Sequence, residues 1–133
     1  MADQDGERPM TAFTEQLQAT LDAALAERET FNSEWNAKRK SVVDPTLQTA
    51  KPIFDARFAL VEVKPENGAI FLWVAMHRLV FRPNQKILEV ECVMQAASTS
   101  GERVSDSYGV GAITQALVEK KLLEFAQFVA RNQ

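Results

Sequence analysis

His77 and Glu91 are the two residues of this chain whose types and placement come nearest to chemistry. Read as neighbours across adjacent antiparallel strands, they stand opposite each other. A carboxylate there orients an imidazole and raises its pKa, and such a pair in a half-apolar cleft can act as a general base. No serine or cysteine nucleophile is placed beside them. The plainer reading, a histidine paired with a carboxylate at the edge of an interface, is therefore preferred, and no catalytic residue is expected beyond these two candidates. Glu89 and Glu91 are two residues apart and share a strand face, with Glu62 two strands away. Carboxylates so spaced can hold a hard cation or divide acid and base roles. Charges on a partly wet sheet are the commoner use, and no metal or other cofactor is expected.

Cys92 is the single cysteine and His77 the single histidine. They fall short of the four nitrogen or sulfur ligands of a structural zinc site, and no intramolecular disulfide can form. Cys92 reads as a small buried hydrophobe. The stretch "SYGVGA" at 107–112 offers two glycines before a helix, a possible anion cradle. It lacks the third glycine and the parallel βαβ unit of a dinucleotide fingerprint, so it reads as a flexible turn.

These residues need a frame, and the hydrophobic pattern supplies one. Residues 1–10 ("MADQDGERPM") read as a disordered tail, with 11–133 forming a single α+β domain. Phe13, Leu17, Leu21, Ala24, Leu25, Phe31 and Trp35 recur at helical spacing over 11–39. Such a helix is about 43 Å long, longer than the sheet it must cover. One end is expected to overhang or to pack on a second subunit. Residues 41–55 read as a connector with one helical turn at Asp44-Pro45 and a stop at Pro52. The period then changes to two. Strands are expected over 56–64, 69–81 and 86–96, with turns at "PENG" and "RPNQ", and a fourth strand is possible at 103–108. A long C-terminal helix over 109–132 closes the chain and packs on the sheet.

Alternation along 69–81 divides the middle strand into an aliphatic side (Ile70, Leu72, Val74, Met76, Arg78, Val80) and an aromatic side (Phe71, Trp73, Ala75, His77, Leu79, Phe81). Hydrophobic register sets Val80 opposite Leu88 and Met76 opposite Cys92, which keeps Glu91 out of the aliphatic layer. The Asn-Gly loop sets Val63 opposite Leu72 and Glu62 opposite Trp73. The aromatic side mixes rings with acids, as neither a bare surface nor a plain core should. Its residues Phe58, Glu62, Phe71, Trp73, His77, Glu89 and Glu91 form the expected binding surface.

Net charge is −3, with pI about 5.2. Residues 1–35 hold eight acids and two bases, so they carry −6 and the remainder +3. This front-to-back asymmetry could steer a partner or a second copy. Three clustered bases at Lys38, Arg39 and Lys40 lack aromatic platforms, so nucleic acid is not the expected partner. The absence of a signal peptide or membrane span leads to a cytoplasmic expectation. The resulting functional expectation is a non-catalytic binding or adaptor protein, a homodimer, contacting another protein or a second copy of itself. The alternative is a protein or enzyme for a small apolar ligand, with a cleft between sheet and helix that uses His77.

Overall fold

The computed structural model describes residues 2–98 and 101–133, with side chains from residue 11 onward; the side chains of the expected tail lie outside that description. Helix α1 spans Ala2–Lys38. It continues through one π-helical turn, Arg39–Val43, into α2 at Asp44–Asp55. Five strands follow: β1 Glu62–Glu66, β2 Ala69–Val74, β3 His77–Asn84, β4 Glu89–Gln95 and β5 Arg103–Tyr108. A 3-10 turn at Val110–Ala112 leads to α3, Gln115–Arg131. The sheet is one antiparallel meander in the order β1-β2-β3-β4-β5. The α+β architecture is as expected, with five strands in place of three or four.

The connector expectation for 41–55 is corrected: it is a helix, and Pro52 lies inside it. Leu47 and Phe54 bury the apolar side of α2. That burial outweighs the one ladder hydrogen bond a proline removes. The first strand begins at Glu62 rather than 56, since residues 56–61 form the bend that leaves α2, with Leu60 at φ +57°.

The first hairpin is as read. Glu62 opposes Trp73 and Val63 opposes Leu72, with Asn67 and Gly68 at positive φ in the loop. The expected strand 69–81 is instead two strands. The chain reverses at Ala75-Met76, both in the left-handed region at φ +51° and +72°. Val74 faces His77, Leu72 faces Leu79 and Ile70 faces Phe81. A two-residue turn opposes odd-numbered residues to even-numbered ones, so beyond Met76 the faces exchange. His77, Leu79 and Phe81 join Ile70, Leu72 and Val74 in the core, while Arg78 and Val80 go to the other side. The next loop is four residues, Gln85 to Leu88, and Phe81 opposes Cys92. Thus the expected pairs Val80–Leu88 and Met76–Cys92 do not form.

All three helices serve one side of the sheet. Phe31 and Trp35 of α1, Leu47 and Phe54 of α2, and Val118, Phe125 and Phe128 of α3 join the strands in one buried cluster. Trp35 Nε1 donates to the Gly68 carbonyl at 2.7 Å, which seats α1 against the β1–β2 turn. Thr114 caps α3, accepting from the Leu117 N–H at 3.2 Å. On the other sheet face Ala69, Val80 and Val93 are buried, with Phe71 against them.

Candidate functional site

His77 follows the Ala75-Met76 turn, and its side chain enters the core, 3% exposed. The Ala97 N–H donates to Nδ1 at 2.9 Å. Nε2 therefore holds the ring proton and donates to Gln133 Oε1 at 3.0 Å. The ring meets Phe128 edge-on at 6.5 Å. Both nitrogens are thus spent tying β3 to the start of the β4–β5 connection and to the chain beyond α3.

The expected His77–Glu91 pair is corrected. Glu91 lies across the sheet from His77, opposite Arg82, whose Nε donates to it at 3.0 Å. The pairing fails because its register assumed an unbroken strand through residues 75 and 76. Phe58 also leaves the expected surface: it lies past α2, half-buried against the core, 6.4 Å from the Phe54 ring. The structure does bring Glu62, Phe71, Trp73, Glu89 and Glu91 to the helix-free face. There the Phe71 and Trp73 rings stack at 5.8 Å and 7°. Glu89 accepts from the Ser107 hydroxyl at 2.8 Å.

Arg78 is the residue of this face that the pattern concealed. Its guanidinium lies over the Trp73 ring at 5.9 Å, and its buried Nε has no hydrogen-bond partner among the described residues. Beside Trp73 stand Leu60 and Met76, 68% and 57% exposed. The signal needed to place Arg78 was the turn before it, and neither Ala75 nor Met76 is a turn residue.

Lys121 was also missed. It is a lysine on the buried side of α3, 4% exposed. Its ammonium donates to Asp106 at 2.6 Å and Glu124 at 3.1 Å, and lies 5.5 Å from the Tyr108 ring centre. Burial pulls its pKa down. Hydrogen bonds to Asp106, Tyr108 and Glu124 outweigh that and hold it above the ordinary lysine range. Across β4 and β5, Cys92 opposes Asp106. Burial pushes the Cys92 thiol up to about 12, and nearby Lys121 only partly offsets this, so the thiol is a packing group and not a nucleophile. Among the described residues no group of three or more His, Cys, Asp or Glu could hold a metal ion.

The other open surfaces are apolar. A groove of about 510 Å³ runs between α2 and α3, with Val42, Ile53 and Leu123 among its walls. A second open apolar surface lies on α1. Every residue from 11 to 30 is exposed, and among them Phe13, Leu17, Leu21 and Leu25 are 58%, 45%, 53% and 59% exposed. Phe13 and Phe31 are five whole turns apart at about 3.6 residues per turn, and so are Leu17 and Trp35. The exposed stripe is therefore the same helix face that is buried further along. Glu15, Asp22 and Glu29 recur every seventh residue on the opposite side.

No family model, no curated protein and no solved structure matches this chain. No helix among the described residues is long and apolar enough to cross a membrane.

Proposed function

We propose that this chain is a non-catalytic adaptor that works by protein–protein contact, with the exposed stripe of α1 as its working surface. One observation carries the reading. Four large apolar side chains lie about half-exposed on a 37-residue helix, on and beside the face that is core further along. Fully burying such a side chain is worth about 1.5–3 kcal/mol, so covering four half-exposed ones gives on the order of 3–6 kcal/mol on this side alone. A contiguous apolar stripe of this kind marks an interaction surface. The candidate reactive residues are otherwise engaged: His77 is spent on structure, Glu91 on Arg82, and Cys92 on packing.

The test is a native mass measurement of the purified protein and of a Leu17→Glu/Leu21→Glu variant. Wild type is expected to appear bound to another chain, and the variant as the free chain of 14.9 kDa, with helix content retained. A wild type that is always a free chain would overturn the reading. The alternative, a small apolar ligand, has the α2–α3 groove in its favour. His77 does not line that groove, so this version keeps the ligand and drops the histidine base.

A further inference from the structure

The path of α1 across the sheet says what its free end is built to cover. Trp35 sits at the β1–β2 turn through its bond to Gly68. One to two turns back, Arg28 donates to Gln85 at 3.3 Å, and Gln85 donates to Asn32 at 2.6 Å, which places this part of α1 at the β3–β4 turn. Further back still, Ala23, Ala26 and Glu27 share a hollow with Leu88, Val110 and Gly111, just past the end of β5. The helix thus crosses the turn end of the sheet from β1 to β5. The lengths agree. Trp35 to Ala23 is about 18 Å at 1.5 Å per residue. The distance from the β1–β2 turn to β5 is about 17 Å at about 4.8 Å per strand.

From Asp22 backward, α1 has therefore passed the last strand of its own sheet. Residues 11–22 extend about 18 Å further, enough for the ends of three or four more strands. The face carrying Phe13, Leu17 and Leu21 is the one that, at Phe31 and Trp35, covers this chain's own sheet. β5 is an edge strand with no neighbour beyond it among the described residues. An unpaired strand edge and an unpaired helix face thus end at the same border and call for the same occupant: more sheet.

We infer that the occupant is a second copy of this chain, joined β5 to β5 in antiparallel register about a two-fold axis, each α1 lying across the end of the other's sheet. This rests on the adaptor reading, and names the partner. The two-fold brings the partner's Ala75-Met76 turn end alongside the free arm. At about 17 Å beyond β5 that turn lies within reach of Phe13. The charges select this arrangement over arms paired with each other. Arm against arm sets −4 beside −4 (residues 1–22), whereas arm against the rest of the chain sets −4 beside +1. The contact is isologous, so it closes at two copies and both edges are used at once.

The probe is a Ser105→Cys/Ser107→Cys variant in full-length chain under mild oxidation, alongside sedimentation of wild type and of Leu17→Glu/Leu21→Glu. Both serines are exposed on β5, and face-preserving registers centred on Ser105, Asp106 or Ser107 set two introduced thiols opposite each other. The buried Cys92 stays silent. The expected result is a wild-type dimer, a disulfide-linked dimer from the double cysteine, and loss of both when the two leucines are replaced. A dimer that needs the leucines yet gives no β5 link overturns the two-fold sheet and leaves the adaptor reading intact. A wild-type monomer that binds a different protein through α1 overturns the second copy alone. A monomer with no bound chain overturns both.

Discussion

A histidine with both nitrogens occupied behaves as a fastener. His77→Ala removes the acceptor of the Ala97 N–H and opens a cavity against Phe128. The expected loss is about 2–4 kcal/mol, read as a lower urea midpoint. An enzyme that used His77 as a base would instead lose turnover at unchanged stability. Lys121 makes a second residue-scale test. Removing the ammonium in Lys121→Ala opens space and leaves two half-exposed carboxylates without their cation, at a cost of about 1–2 kcal/mol. Lys121→Met fills the space with an apolar chain and is expected within about 1 kcal/mol of wild type. Because the folded-state pKa is raised, the contribution of this lysine is fully present below the unfolded-state value of about 10.4 and is lost as pH rises through the higher folded value. Urea midpoints of wild type and Lys121→Met should therefore differ by a constant between pH 6 and 9, and converge only in strong alkali.

Among the elements, the turn at Ala75-Met76 decides most. Asn67-Gly68 announces its hairpin in the residues themselves, because asparagine and glycine accept positive φ. Ala75 and Met76 adopt the same region at a cost of roughly 1–2 kcal/mol each. They are held there by paired strands on both sides and by the Ala75 N–H donating to the Ala59 carbonyl at 3.0 Å. Ala75→Asn should relieve about 1 kcal/mol of that strain and raise the thermal midpoint by about 4 °C. Gly68→Ala should do the reverse, since φ +79° penalises any Cβ even though none of its neighbours would be touched closely. This turn also sets how much of the site was legible. Glu62, Phe71 and Trp73 precede it and were placed on the correct face with their pairing. Arg78, Leu79, Val80 and Phe81 follow it and were all inverted. Beyond the next loop, Val90, Cys92 and Met94 return to the core as read, because a second even-length loop exchanges the faces again.

At the scale of the molecule, three helices cover one face of a five-stranded sheet and one of them runs past its edge. If the arm closes on a second copy, dimerisation and folding are linked, and the thermal midpoint must rise with protein concentration. A hundredfold dilution of wild type should lower it by several degrees. Leu17→Glu/Leu21→Glu should melt at one temperature throughout, near the dilute limit of the wild type.

The amino-acid order alone determined the classes of structure: helical spacing from Phe13 to Trp35, alternation through the middle, a marked turn at Asn67-Gly68, and a helix too long for its own sheet. These are periodicities, and a periodicity is written in nearest neighbours along the chain. Only the tertiary structure decided where the greasy stretch from Ala69 to Phe81 folds back. It also decided which side His77 faces, and that Lys121 is buried beside Asp106. Each of these is a contest between local strain and distant packing. Burial of Leu79 and Phe81 outweighs an unfavourable turn at Ala75-Met76, and no window of neighbouring residues contains both sides of that balance.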